Sequence, residues 1–263
     1  MEFELEGKVA LVTGGGRGIG RAVAVMLARH GAGVALCGRT AQTLEAAAEE
    51  IRGCGVEAWP FVADVSDFSA LTRFVERAKG AAGRIDILVN NAVSSLHAPF
   101  AEQTDEHWRH HIDVKLVACT RGSRLVIPHM REAGGGRIVN IGGMTARIVA
   151  PIRITNGVVN AGVSNFTKQL SSQVGTDNIT VNCVHPGFTA TDRMLNGVRR
   201  RARDAGISET EELERMVSTV PLGRLVAPED IARAVLFFCS PLAVMVTGQC
   251  LAVDGGSGEA VSY

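Results

Sequence analysis

The chain has 263 residues, of which 46% are hydrophobic, and its 27 basic residues balance its 27 acidic residues. This length permits one large α/β domain or two small ones, and the apolar content is enough for a substantial core. A net charge of zero gives no indication of a nucleic acid or an acidic membrane surface as a partner.

Six cysteines are scattered at positions 37, 54, 119, 183, 239 and 250, without a C-x-x-C pair. This pattern is typical of reduced, mostly structural thiols in a cytosolic protein, so we expect a cytoplasmic location. Acidic residues, not a basic segment, precede the first apolar run, and no apolar run is long enough to span a membrane. We therefore expect neither a signal peptide nor a membrane anchor.

Apolar runs typical of strands alternate with amphipathic runs typical of helices along the whole chain. Strands are predicted at 8–13, 33–37, 57–63, 85–90, 137–141, 179–184 and 249–253. Helices are predicted at 19–30, 41–52, 68–82, 105–132, 157–174 and 228–239. Because parallel neighbours need crossover helices, this alternation predicts a Rossmann-like α/β fold with a doubly wound parallel sheet of seven strands. We find no internal repeat or linker, so a single domain over 1–263 is expected.

A glycine-rich turn follows the first predicted strand and opens the first predicted helix, with the sequence T-G-G-G-R-G-I-G at 13–20. Its spacing is G-x-x-x-G-x-G, and the commoner dinucleotide fingerprint G-x-G-x-x-G fits in no register. Such a turn brings backbone N–H groups to a phosphate at the positive end of a helix, although a plain tight turn would look similar. We assign to this nucleotide site Gly14, Gly16, Arg17, Gly18, Ile19 and Gly20.

The residue after the second predicted strand bears on which coenzyme binds. An NAD site usually has a carboxylate there, which accepts a hydrogen bond from the ribose 2′-OH. Here that residue is Arg39, and no Asp or Glu occurs between Glu6 and Glu45. The guanidiniums of Arg39 and Arg17 suit a 2′-phosphate through paired N–H donors, although both are also compatible with solvated surface arginines. The arrangement predicts NADP(H) as the cofactor.

Polar residues also follow the third and fourth predicted strands. Asp64-Val65 comes after the third strand, where a short polar side chain suits the adenine edge, and Asn91-Ala92 comes after the fourth. Ligands in open α/β sheets collect at these strand ends, whereas Asn and Asp are also common in ordinary turns. We include Asp64, Val65, Asn91 and Ala92 in the predicted cofactor site.

These motifs resemble those of the short-chain dehydrogenase/reductase family, over nearly the whole chain. The turn at 13–20 matches T-G-x-x-x-G-I-G, Asp64 matches the adenine-side Asp, and 90–93 matches N-N-A-G with Val93 in place of the glycine. Pro186-Gly187 followed by Thr191 matches P-G-x-x-x-T, which holds the nicotinamide end in the family. The resemblance implies dinucleotide binding, a small-molecule substrate and a homodimer or homotetramer.

The family's catalytic residues do not carry over. Its reductases use a Ser at the end of the fifth strand, a Tyr that delivers the proton, a Lys that lowers the Tyr pKa and binds the ribose, and usually an Asn. This chain has Gly143, Asn156 and Asn160 at the Ser, Tyr and Lys positions, and its only tyrosine is Tyr263. Lys115 stands at the Asn position. Asn and Lys have thus exchanged places between positions 115 and 160, and Asn160 joins the predicted cofactor site.

We hypothesise that the Lys115 ammonium restores a cation near the ribose or a developing oxyanion; the alternative is a surface lysine. His111 lies one helical turn before Lys115, and His97 lies in the loop after the fourth strand. An imidazole titrates near neutral pH, so either can supply a proton, although single histidines are more often structural. The candidate catalytic residues are Lys115, His111, Asn156 and His97. No cluster has metal-ligand spacing in the sequence.

Charged residues concentrate in the segment 192–221, where family members form a lid over the substrate. Its arginines at 199–201 and 203 and its acidic residues at 209, 211 and 212 are typical of solvated faces. A basic lid for an acidic or carrier-tethered substrate is the alternative. Arg153, three residues before Asn156, is likewise either a contact for an anionic substrate or a solvated loop charge.

Three functions remain open at this point. The first is an NADP(H)-dependent oxidoreductase of a specialised biosynthetic pathway, acting on an activated carbonyl, enone or imine that needs little help from a general acid. The second is a non-redox cyclase, isomerase or dehydratase on the same fold. The third is a catalytically inactive partner subunit that binds NADP(H). The lid and pocket vary most within the family, so the substrate is not identified by the sequence.

Overall fold

A seven-stranded parallel β-sheet forms the centre of the computed structural model, which describes residues 3, 5–94 and 96–258. The strands lie in the order β3-β2-β1-β4-β5-β6-β7. The direction of strand addition reverses between β1 and β4, and ligands of open α/β sheets bind at such a switch point. The strands are β1 (Val9–Thr13), β2 (Gly33–Gly38), β3 (Ala58–Val62), β4 (Ile87–Asn90), β5 (Gly136–Ile141), β6 (Ile179–Pro186) and β7 (Cys250–Val253).

Helices cover both faces of the sheet. They are α1 (Gly18–Arg29), α2 (Ala41–Arg52), α3 (Phe68–Ala82), α4 (Asp105–His111), α5 (Ala118–Glu132), α6 (Ile154–Val174), α7 (Asp192–Ala205), α8 (Glu209–Ser218) and α9 (Pro228–Cys239). One apolar cluster joins the sheet to α1, α2 and α9, and a second joins it to α3 and α5. The sheet and the helices on its two faces form three layers, which confirm the predicted fold. Within the described part of the chain, no helix has the length and apolarity that a bilayer crossing requires.

The predicted helix 105–132 contains an irregularity that periodicity does not reveal. A π-helical segment, Ile112–Val117, separates α4 from α5. A π-helical turn holds an extra residue, so it changes the direction of the side chains on it, and such turns are frequent at functional sites. Lys115 lies in this segment and is buried. The interruption therefore determines where the Lys115 ammonium is placed.

The segment 192–221 folds into two helices that the sequence analysis does not predict. The Thr191 side chain caps the start of α7, Gly206 ends it with φ +65°, and Ser208 begins α8 in a capping box. Arg201 of α7 forms an ion pair with Glu212 of α8 at 2.5 Å. The sequence pattern predicts that these charged residues are solvated. Arg201 and Glu212 instead join the two helices to each other.

Candidate active site

The glycine turn lies at the switch point between β1 and α1. Gly14 has φ +66°, and a Cβ added to Gly20 would overlap the Gly14 carbonyl and the Asn91 side-chain amide. Only glycine therefore fits at position 20. The first turn of α1 has no acidic residue, and its N-cap, Arg17, makes no side-chain cap. The N–H groups at this helix end remain available to an anion.

Asn91 and Ala92 lie beside the glycine turn, as the cofactor-site prediction requires. The Asn91 Nδ2 donates to the carbonyls of Thr13 at 2.9 Å and Gly14 at 3.2 Å. The Thr13 hydroxyl in turn accepts from the backbone N–H groups of Asn91 at 2.9 Å and Ala92 at 3.1 Å. These bonds hold the ends of β1 and β4 together. The Asn91 side chain thus fixes the shape of the glycine turn by donating to its backbone carbonyls.

Arg39 and Asp64 lie close together after β2 and β3. Burial acts to raise the pKa of Asp64, but hydrogen bonds from Ser66 and the charge of Arg39 outweigh it and lower the pKa. The Asp64 Oδ1 accepts from the Ser66 N–H at 2.9 Å and its hydroxyl at 2.7 Å. Val65 is buried beside them. Arg39 and Arg17 are exposed, and neither forms an ion pair with a described carboxylate.

Of the predicted nicotinamide-side residues, which lie at the end of β6 and in the loop after it, Thr191 contacts the glycine turn. A Cβ added to Gly18 would lie 3.2 Å from the Thr191 methyl group, so Thr191 packs against the start of α1. Gly187, directly after Pro186, donates its N–H to the Val253 carbonyl at 3.0 Å. The structure therefore brings Thr191 to the glycine turn and places Gly187 against β7.

Lys115 lies at the carboxyl end of β5, and its side chain is not on the surface. The residue is 8% exposed, and its Nζ donates to the Gly142 carbonyl at 2.8 Å. Burial lowers its pKa to about 8; the nearby Cys183 opposes this effect, and the charge of Arg193 adds to it. The surface-lysine alternative is wrong. The ammonium group is largely protonated at neutral pH and lies next to the position of the family's catalytic serine.

Gly143 and Asn160, which align with the family's Ser and Lys, lie in close steric contact. Asn160 is 4% exposed, and its Nδ2 donates to the Thr145 hydroxyl at 2.8 Å. A Cβ added to Gly143 would lie 2.6 Å from that Nδ2. Asn160 thus occupies space that a serine side chain at 143 would need. Asn156 is half-buried on α6, one helical turn before Asn160.

The two candidate histidines are not poised to titrate near neutral pH. His111 is 2% exposed, and burial together with the Lys115 charge lowers its pKa to about 4. Burial and neighbouring arginines lower the pKa of His97 to about 4 as well. Both rings are therefore neutral at pH 7. These lowered pKa values do not favour proton donation by either ring, because neither environment stabilises the positive charge.

His185 is a residue of the site to which the sequence analysis assigns no role of its own. It is fully buried, and its Nδ1 accepts from the Gly143 N–H at 2.9 Å. Its Nε2 lies within 4.8 Å of the sulfurs of Cys183 and Cys250, which sequence spacing did not group. A neutral ring with Nδ1 as acceptor carries its proton on Nε2, which disfavours a metal ion there. His185 instead positions the loop after β5.

Comparison with known proteins extends these observations. The family model described as enoyl-(acyl carrier protein) reductase matches residues 14–258. A 3α-hydroxysteroid dehydrogenase from Mediterraneibacter gnavus is 35% identical over 262 residues, which cover 98% of this chain and 99% of that protein. The match therefore includes both the glycine turn and the segment around Gly143.

Two solved structures show the same architecture with coenzyme bound. L-sorbose reductase from Gluconobacter frateurii, complexed with NADPH and L-sorbose, has a TM-score of 0.96 and 31% identity, covering 99% of this chain and all of that one. A 7α-hydroxysteroid dehydrogenase complexed with NADH and 7-oxo glycochenodeoxycholic acid has a TM-score of 0.90 and 31% identity, covering 99% and 98%. Both of these relatives of the chain are thus oxidoreductases that bind nicotinamide coenzymes. The chain belongs to the short-chain dehydrogenase/reductase family.

Proposed function

We propose that this chain is an NADP(H)-dependent oxidoreductase that acts on an activated carbonyl, enone or imine without the tyrosine its family uses. The observation that carries the proposal is the Lys115 ammonium, buried at the end of β5 with its Nζ 2.8 Å from the Gly142 oxygen. It supplies a positive charge beside the positions where Gly143 and Asn156 replace the family's Ser and Tyr.

The residues present fit a phosphorylated nicotinamide coenzyme. The uncapped start of α1 suits the pyrophosphate, and the exposed guanidiniums of Arg17 and Arg39 suit the 2′-phosphate. The buried Asn160 Oδ1 accepts no hydrogen bond within the described residues, so a ribose hydroxyl would satisfy it. When bound, the coenzyme supplies or accepts the hydride.

Lys115 has the properties needed to stabilise negative charge on a substrate oxygen or nitrogen. Its ammonium has three N–H donors, of which one is directed at Gly142. A pKa of about 8 lies close to neutral pH, where proton transfer by a general acid is most efficient. An electrophilic acceptor requires less protonation than a simple ketone. The loss of the tyrosine therefore favours substrates that are already activated.

Coenzyme binding is tested first, by calorimetric titration with NADPH and NADH. We expect NADPH to bind more tightly, and the absence of heat with either coenzyme would contradict the proposal.

Turnover is then followed at 340 nm with a panel of simple ketones, activated carbonyls, enones and cyclic imines. We expect oxidation of NADPH with the activated acceptors. Rapid reduction of simple ketones that is unchanged in Lys115→Met would also contradict it.

A second candidate function, non-redox acid–base catalysis, is favoured by one observation. His111 is buried and neutral, and it lies one helical turn before the Lys115 ammonium, whose charge acts on it. A proton acceptor and a proton donor on adjacent turns suit isomerisation, cyclisation or dehydration. Conversion of a substrate without any change at 340 nm would identify this function. Co-purification with a homologue that retains Y-x-x-x-K, without turnover, would identify an inactive partner subunit instead.

A further inference from the structure

Two cysteines lie directly opposite each other on the last two strands of the sheet. Cys183 of β6 is the register partner of Cys250 of β7 in the parallel pair, so both side chains point to the same face of the sheet. The two residues pack in one small cluster with Val163 of α6. Their sulfurs and the His185 Nε2 all lie within 4.8 Å of one another. The fold therefore brings together two thiols that are far apart in the sequence.

The two thiols differ in their access to solvent. Cys183 is fully buried, whereas Cys250 is half-buried. Cys250 belongs to β7, the last strand of the sheet, which has only four residues and one neighbouring strand. A reagent from solvent therefore reaches Cys250 first, and Cys183 lies behind it.

Polar groups line one side of this sulfur pair. The His185 Nδ1 accepts from the Gly143 N–H at 2.9 Å, so the neutral ring carries its proton on Nε2. That Nε2 lies 4.0 Å from the Cys183 sulfur and 3.1 Å from the Ser164 Oγ. The Ser164 hydroxyl in turn donates to the Asn160 carbonyl at 3.0 Å. The sulfurs thus lie beside an imidazole N–H and a hydroxyl, and not in a purely apolar core.

These neighbours favour a thiolate on one sulfur and a thiol on the other. A hydrogen bond from Cys183 lowers the pKa of Cys250 well below its ordinary value. Burial opposes this effect, and His185 and Ser164 add to it. The same hydrogen bond, followed by burial, raises the pKa of Cys183. Since the thiolate is the nucleophilic form of cysteine, the more accessible sulfur is also the more reactive one.

We propose that Cys250 is a site of oxidation by hydroperoxides, and that Cys183 converts the product into a disulfide between β6 and β7. The Cys250 thiolate attacks a peroxide oxygen, the O–O bond breaks, and the leaving hydroxide or alkoxide takes a proton from water. Cys250 is thereby oxidised to a sulfenic acid, and the peroxide is reduced. The Cys183 sulfur then attacks the Cys250 sulfur. The S–S bond forms, the S–O bond breaks, and the hydroxide leaves as water with the Cys183 proton.

His185 connects this cysteine pair to the candidate active site. Its ring accepts from the Gly143 N–H, and the adjacent Gly142 carbonyl accepts from the Lys115 ammonium. A Cβ added to Gly142 would overlap the His185 Nδ1, so the ring packs tightly against this turn. A disulfide beside the ring would therefore act on the turn that holds Lys115. The oxidation itself does not depend on the proposed function.

The first test treats the protein with a stoichiometric amount of hydrogen peroxide and measures its mass after denaturation without reductant. We expect the wild type to lose two hydrogen atoms, and peptide mapping to locate a disulfide between Cys183 and Cys250. In Cys183→Ser, dimedone should trap a sulfenic acid at Cys250, whereas Cys250→Ser should form neither product. Cys54→Ser removes the other half-buried thiol and should behave as the wild type.

Two kinds of result would contradict the inference. A wild type that keeps both thiols reduced would overturn it as a whole. A sulfinic acid at Cys250, or a disulfide between two chains, would overturn the role of Cys183.

A second measurement needs no variant. The native wild type is alkylated with iodoacetamide, and the rate at each cysteine is followed by peptide mass. The thiolate fraction of an ordinary cysteine falls about tenfold for each pH unit below a pKa of about 8.5. At about pH 6 we therefore expect Cys250 to react about tenfold faster than Cys54, after allowance for the lower nucleophilicity of an acidic thiol. Equal rates at the two cysteines would contradict the thiolate at Cys250.

Discussion

The site has a coenzyme end, at the glycine turn, and a catalytic end, around Lys115 and Gly143. The two ends differ in whether backbone or side chains pack against the residues that form them. At the coenzyme end, Gly20 allows backbone and the Asn91 amide to approach so closely that no side chain fits. At the catalytic end, the Asn160 side chain occupies space that a Cβ at Gly143 would need, and we propose that these two residues stand as a pair at the family's Ser and Lys positions. We infer that backbone approach at the coenzyme end admits only glycine, whereas packing between side chains at the catalytic end allows two residues to change together. The following predictions test that contrast.

The largest effect is expected at the catalytic end, from Lys115→Met. A general acid typically contributes a factor of about 10² to 10⁴, so turnover of an activated acceptor should fall by that amount. In the wild type, the rate should fall as pH rises through about 8, where the ammonium loses its proton. Lys168→Met, at an exposed lysine on α6, is the control. Equal turnover in both variants would remove Lys115 from the mechanism.

At the coenzyme end, Gly20→Ala should raise the dissociation constant for NADPH by roughly a hundredfold, about 3 kcal/mol, because the new Cβ must displace the Gly14 carbonyl. Thermal unfolding should also occur at a lower temperature. Gly80→Ala on α3 is the matched control, since a Cβ there meets no atom within 4 Å. That variant should be neutral or slightly stabilised. Normal binding by Gly20→Ala would contradict the close-approach argument.

A smaller effect is expected from Arg39→Gln, at the edge of the coenzyme end. Loss of one exposed guanidinium should weaken NADPH binding about tenfold and leave NADH binding nearly unchanged. Calorimetric titration with each coenzyme measures the two affinities. Arg29→Gln, an exposed arginine at the opposite end of α1, should change neither. A parallel loss for both coenzymes would place Arg39 outside the 2′-phosphate site.

The smallest effect is a coupling free energy of about 1 kcal/mol, which tests the proposed pairing of Gly143 and Asn160 at the catalytic end. Gly143→Ser should lower the free energy of unfolding by about 1 to 3 kcal/mol, because its Cβ would lie 2.6 Å from the Asn160 Nδ2. In an Asn160→Ala background, the same substitution should cost about 1 kcal/mol less. Urea unfolding of the four proteins completes the cycle. Additive costs would mean that the two positions changed independently.

Much of the fold could be predicted from local pattern. All seven strands and six helices lie where apolar periodicity places them, and the glycine turn opens α1. The helices α7 and α8 were not predicted, because their charges suggested a solvated segment and the Arg201–Glu212 pair joins residues 11 apart. The π-helical segment at 112–117 was also missed, since a hydrophobic pattern does not reveal one extra residue in a turn.

The sequence by itself determined the family, the alternation of strands and helices, and the position of the single tyrosine at 263, because these depend on residue identity and spacing. Tertiary structure alone decided that Lys115 is buried with its Nζ against the Gly142 carbonyl, and that burial and nearby charges lower the pKa of His97 and His111. The physical reason is that burial and charge proximity depend on contacts between distant segments. Those contacts set the pKa values from which the chemistry of the site follows.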